Sequence, residues 1–221
     1  MDGGGIASWF LEQGRRHPYG AVADKQIARL RERLGELVAR GKVAQEQVDA
    51  IIACLKSKRE AAVDAVMAAS IPDGHLPLLA VVSKESLAVS IQMPMVKHGD
   101  EIGVSHLTDD NFTDGIGSRK DIAWWAIDVE NGKQFCDGKT SSKDDEAIIT
   151  QQGRICCVVA EAIALGIHDN VLEHHNVLAP GSRYNNEVPD LCLDDVRPAI
   201  SCYLFGYAIV KWGTASLRKR V

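Results

Sequence analysis

Ile27, Leu30, Leu34 and Leu37 step by three, four and three residues, which sets four apolar side chains on one face of a helix. A second stripe follows at the same period through Val48, Ile51, Ile52, Leu55, Ala62, Val63 and Val66. Between them Gly41-Lys42-Val43 breaks the pattern, with glycine where a helix C-terminus favours it. Two apolar stripes separated by so short a turn predict an antiparallel helical hairpin over residues 23–40 and 44–69. Ile71-Pro72-Asp73-Gly74 is a strong stop. Ahead of the hairpin, residues 1–22 read as a leading segment. One or two helical turns over 6–11 are ended by Gly14 and His17-Pro18-Tyr19-Gly20.

Beyond Gly74 the texture changes. Strands are expected at 76–82, 86–96, 101–107 and 124–129, with a loop over 108–121. A short helix is expected at 144–151 and a buried helix at 155–167, where Val158, Val159, Ala162, Ile163 and Leu165 leave few polar sides. Residues 188–193 and 197–205 alternate around Asp194-Asp195-Val196 and read as a hairpin. Strands do not alternate regularly with long helices, so a doubly wound parallel sheet is not expected. The fold class is α+β: an N-terminal antiparallel helical hairpin, then a mixed α+β domain over 74–216 with a mainly antiparallel sheet and one buried helix. Residues 217–221 remain as a basic tail.

The 221 residues carry a net charge of −5, so the chain is a poor general binder of polyanions. The charge is uneven: residues 1–70 sum to +2 and residues 71–221 to −7. A nucleic-acid contact would therefore use Arg29, Arg33, Arg40 and Lys42, joined by Lys56, Lys58 and Arg59, or the tail Arg218-Lys219-Arg220. Glu32, Glu36, Glu46 and Glu60 interleave with the first group, as on a solvated helix face. Six cysteines show no CxxC spacing and sit mostly in apolar runs, which predicts reduced thiols in a cytoplasmic protein. No leader motif is visible at Met1-Asp2-Gly3-Gly4-Gly5, and no apolar run approaches the length of a membrane span.

The densest polar cluster lies between 161 and 184: Glu161, His168, Asp169, Glu173, His174, His175, Ser182, Arg183 and Tyr184. Glu161 and His168 are seven apart and would share a helix face. With His174 or His175 they could ligate a divalent ion, though the spacing matches no established metal motif. Histidine and aspartate at a helix end also serve as caps. Arg183 offers two parallel hydrogen bonds to a carboxylate or phosphate, or a clamp on Asp128 or Glu161. Cys156-Cys157 follows Arg154 at the expected helix start, where a thiol can be activated, although Cys157 also reads as core. Gly115-Ile116-Gly117-Ser118-Arg119-Lys120 lacks the phosphate-loop pattern. Trp124 and Trp125 point to opposite faces of their strand, so one of them is expected to mark a contact surface. No cofactor motif and no complete metal-ligand set is present.

Several short stretches also agree in order and spacing with a known group. These are Gln92-Met93-Pro94-Met95-Val96, Asp128-Val129-Glu130-Asn131-Gly132, Ala160-Glu161-Ala162-Ile163-Ala164-Leu165, Gly181-Ser182-Arg183-Tyr184 with Val188-Pro189, and Trp212-Gly213-Thr214-Ala215-Ser216. Over roughly residues 76–216 the chain resembles a bacterial family catalogued as a domain of unknown function. That family often has a Pro-Leu-Thr-like start to the buried helix, where this chain reads Cys156-Cys157-Val158, and tyrosines where it has Trp124 and Trp125. The resemblance implies a domain boundary and no mechanism.

Together these features predict a non-enzymatic cytoplasmic binding or interaction module, acting on a protein partner or on a second copy through the hairpin. A small hydrolase-like enzyme built on Glu161, His168, His174, His175 and Arg183, with or without a metal, is the alternative. RNA or ribosome contact through the basic hairpin is the third reading.

Overall fold

The computed structural model describes residues 4–115, 121–203 and 206–221. It is an α+β fold that opens with α1 (Gly4–Ala39) and α2 (Gln45–Met67), packed antiparallel. The turn between them closes as expected: Gly41 takes φ +65°, and the amides of Gly41 and Lys42 return to the Val38 and Leu37 carbonyls. The leading segment is not separate, however. One helix runs through Gly14 and Pro18 to Ala39. A single proline removes one amide and disturbs one turn, at about 3 kcal/mol. Here Gly20 sits tightly against the Arg59 side chain of α2, and Ala23, Ile27 and Leu30 are buried just beyond, so tertiary packing holds the helix through the breaker.

The remaining elements follow in order. They are β1 (Leu76–Val82), α3 (Val89–Gln92), β2 (Lys97–His98), β3 (Glu101–Ile102), β4 (Val104–Ser105), β5 (Phe112–Asp114) and β6 (Ala123–Glu130). Then come α4 (Ser142–Gln151), β7 (Ile155–Cys156), α5 (Val159–His168), β8 (Asn176–Leu178), β9 (Ser182–Tyr184), β10 (Val188–Asp194), β11 (Arg197–Tyr203), β12 (Trp212–Thr214) and β13 (Ser216–Arg220). Three expectations need correction here. Residues 86–96 form no strand: α3 runs into a 3-10 turn at Met93–Met95, because the side-chain amide of buried Gln92 donates to the Ser83 and Leu87 carbonyls and ties the turn shut. The strand expected at 101–107 is broken into β3 and β4 at Gly103, whose backbone lies against the Met93 carbonyl where no Cβ would fit. The buried helix starts at Val159, after β7.

A four-stranded antiparallel sheet has the order β1-β6-β13-β7. A five-stranded sheet, β12-β8-β10-β11-β4, is antiparallel at its centre and parallel at both outer pairs. The supposed basic tail is β13, an interior strand of the first sheet. Ser216 and Leu217 are buried, Arg218 and Lys219 exposed and Arg220 partly buried, a strand that three consecutive cations conceal from a reading of composition.

The layers follow from the two adjacent tryptophans. Trp125 donates its indole N–H to the Leu55 carbonyl of α2, at 2.9 Å. Trp124 donates to Glu161 of α5, at 3.0 Å. Both are buried, and neither marks a contact surface. The four-stranded sheet thus has α1 and α2 on one face and α5 on the other, and the five-stranded sheet packs beyond α5. One continuous apolar cluster runs from Ala23 through Leu55, Trp125 and Leu165 to Leu217. Even the free edge of β1 is closed from α1: the Gln26 side chain donates to the Leu78 carbonyl and accepts from the Ala80 amide, as a neighbouring strand would.

Candidate functional site

An open cleft of about 470 Å³ lies where α4, β7 and the β5–β9 ribbon meet. The ribbon pairs Phe112 with Tyr184, Thr113 with Arg183 and Asp114 with Ser182. It is pinned to the core at Gly181, whose amide donates to the Cys157 carbonyl at 2.8 Å. A Cβ at Gly181 would stand 2.7 Å from two carbonyl oxygens, so only glycine permits this approach. Helix α4 begins in a capping box between Ser141 and Asp144. Glu146 and Thr150, one turn apart, then face the cleft.

Ser182 is fully buried behind this wall. Its hydroxyl accepts from the Val159 amide at 2.8 Å and donates to Asp114, so it caps the first turn of α5. Burial raises the Asp114 carboxyl above the ordinary aspartate range, against the lowering effects of the Ser182 bond and Lys84, whose ammonium is 3.8 Å away. Arg183 pairs with Glu146 at 3.0 Å and also donates to the Pro180 and Ser182 carbonyls. It clamps neither Asp128 nor Glu161. Arg154 holds Asp128, with Nη1 at 3.1 Å from the carboxylate and Nη2 at 2.6 Å from the carbonyl. Asp128 sits at φ +55° inside β6 and also accepts from His75 and Arg218. These partners hold its carboxyl below the usual range despite burial.

The thiol at the cleft is unreactive. Burial, aided by Glu146, pushes Cys156 up to about 12. Cys157 is wholly buried, and burial raises its thiol well above the ordinary value. Cys156 belongs to β7 rather than to a helix start, and Arg154 is committed to Asp128, so the activating environment does not form.

The polar cluster read from the sequence divides. Ser182 and Arg183 reach the cleft region, and Tyr184 lies at the outer end of the ribbon, its ring edge-on to Phe112 and its hydroxyl 3.1 Å from Thr108. Glu161 points under the sheet, bonded to Arg220, Trp124 and the Val158 amide. His168 lies at the far end of the same helix, about 10 Å along the axis. Its ring nitrogens are buried beside the Ala80 backbone of β1, and burial together with the Arg29 charge pulls it down to about 3. His174 is exposed, and buried His175 contacts the Asn131 carbonyl at 3.0 Å. Among the described residues no three His, Cys, Asp or Glu side chains are grouped to hold a metal. The basic residues of the hairpin divide too. Arg29 caps the carbonyls of Ile167 and His168, Arg33 pairs with Glu36, and Arg40 and Lys42 are exposed. Residues 116–120 of the glycine loop lie outside the described residues. Asp114, Glu146, Thr150 and Arg154 carried no signal of a shared site, because their convergence depends on how α4 and the ribbon dock.

No family model, no curated protein and no solved structure matches the chain.

Proposed function

We propose that this chain is a non-enzymatic binding module that accepts an anionic side chain or chain end of a protein partner in the cleft beside Arg183. One observation carries the reading. The Glu146–Arg183 pair sits at the rim with side chains 39% and 29% exposed, so an incoming carboxylate can exchange for Glu146 at little expense. The volume is within the range of ligand sites. A hydrolytic reading favours Asp114 as a proton donor, but the thiol beside it is protonated and Ser182 is spent on the helix cap. Self-association through the hairpin loses its support, since Leu30, Leu34 and Leu55 are consumed in the shared core. Nucleic-acid contact loses its support because Arg29 and Arg33 are held within the fold. We place the protein in the cytoplasm on its six unpaired thiols. No helix among the described residues is long and apolar enough to cross a membrane.

The test is an NMR titration of the full chain with N-acetylglutamate and with N-acetylglutamine. Saturable shifts at Glu146, Thr150 and Arg183 with the acid alone, lost in Arg183→Met, support the reading. Equal response to the amide removes it. Turnover of p-nitrophenyl acetate or phosphate that falls in Asp114→Asn replaces it with the enzymatic alternative.

A further inference from the structure

We infer a second site, for an alkylammonium cation, on the outer face of the five-stranded sheet, with Asp190 as counter-charge and Tyr203 and Trp212 as aromatic walls. On β10 the side chains alternate. Leu191 packs toward α5, where Gly166 lies against it, so Asp190 points to the opposite face. The register sets Thr214, Leu178, Asp190 and Ser201 in one row across β12, β8, β10 and β11. Trp212 and Tyr203 belong to the rows on either side of it and to the two strands flanking β8 and β10. Their rings nevertheless meet, with centroids 5.0 Å apart. The sheet therefore curls, and the ring pair crosses the face above the row that holds Asp190.

Asp190 is 0% exposed, and neither carboxylate oxygen meets a donor in full hydrogen-bonding geometry among the described residues. The Cys192 thiol, next on the same face, eases the carboxylate's charge but is aligned with the Ala199 carbonyl, at 3.7 Å. A buried carboxylate without a partner is a strong destabilising feature that native proteins relieve with a cation or a donor. A hard divalent ion needs several oxygen ligands, and no such group stands here among the described residues. One carboxylate beside two aromatic faces matches a different cation, an ammonium whose charge faces Asp190 and whose alkyl carbons lie on the rings. The connection at 206–210, next to Trp212 in the chain, is exposed and includes Tyr207 at 61% and Val210 at 62%. The ammonium can come from a free small amine or from a lysine of a bound protein.

The experiment follows the indole resonance of Trp212 in the full chain at pH 8. Tetramethylammonium, an Ala-trimethyllysine-Ala peptide and neutral 3,3-dimethylbutanol are added in turn. Saturable binding of the cations, weakened at least tenfold in Asp190→Asn and clearly reduced in Trp212→Leu, is the expected result. A peptide preferred over tetramethylammonium points to a protein lysine, and equal affinity points to a free amine; either supports the site. Unchanged cation binding in a folded Asp190→Asn protein, equal binding of the neutral alcohol, or no perturbation of Trp212 overturns it.

Discussion

Arg220 and Glu161 meet in a two-point ion pair, Nε to Oε1 at 2.6 Å and Nη2 to Oε2 at 2.8 Å, with side chains only 5% and 0% exposed. The pair joins the penultimate residue of the chain to the first turn of the buried helix. The same carboxylate receives the Trp124 indole and the Val158 amide, so α5, β6 and β13 all depend on it. Removing one partner strands the other charge in the core. Glu161→Gln and Arg220→Met should each destabilise the protein by about 3–5 kcal/mol in urea unfolding. The double replacement Glu161→Leu with Arg220→Met should recover part of that loss. Additive losses in the double variant would show that the two side chains act independently.

Asp190 and His168 give opposite pH dependences. The Asp190 carboxyl is pushed up to about 7 by burial, from an ordinary value of 3.8. Its contribution is full below the ordinary value, declines as pH rises through about 7, and is on the order of 4 kcal/mol at most. Cys192, the titratable group beside it, stays protonated over this range. Measured against the native chain, the urea midpoint of Asp190→Asn should therefore climb between pH 4.5 and 8. An identical slope in both proteins sinks the assignment.

His168, pulled down to about 3 from 6.5, works the other way. The folded state keeps it neutral, so stability is full above 6.5 and falls as pH drops toward 3. Measured against the native chain, His168→Leu should gain stability as pH falls from 6 to 4. Because the two groups oppose each other over the same window, the native profile should be flatter than that of either variant. A profile of His168→Leu that superimposes on the native one contradicts this.

Gln26 should matter more than an ordinary surface glutamine. Gln26→Ala leaves the Leu78 carbonyl and the Ala80 amide without their partner, at about 1–3 kcal/mol. Amide exchange at Ala80 should accelerate, while exchange in β10 should change only with global stability.

Residues 71–221 alone should not fold. Their removal from α1 and α2 uncovers Trp125, Ile127 and Val129, which face the hairpin side of the sheet. The fragment should show collapsed near-UV dichroism and poor NMR dispersion. A well-dispersed fragment would instead establish an autonomous domain.

Local patterns announce much of this architecture. The Ile27-Leu30-Leu34-Leu37 stripe, the glycine at 41, the apolar strand Leu76–Val82 and the hairpin around Asp194-Asp195 are all legible, because period and turn chemistry act over a few residues. The candidate site was barely legible. Ser182 and Arg183 stood out as polar residues in a turn. Glu146 and Asp114, more than thirty residues apart, gave no sign that they would share a cleft.

The sequence by itself settled the helical hairpin, the apolar strand Leu76–Val82 and the hairpin around Asp194-Asp195, with the apolar faces of the two long helices. Tertiary structure alone decided that Pro18 lies inside a helix, that Arg218-Lys219-Arg220 is an interior strand, and that Glu161 and His168 serve different ends of one helix. The physical reason is range. Periodicity and caps act between neighbours, whereas a buried charge, a strand position or a cleft depends on partners brought from distant parts of the chain by a single shared core.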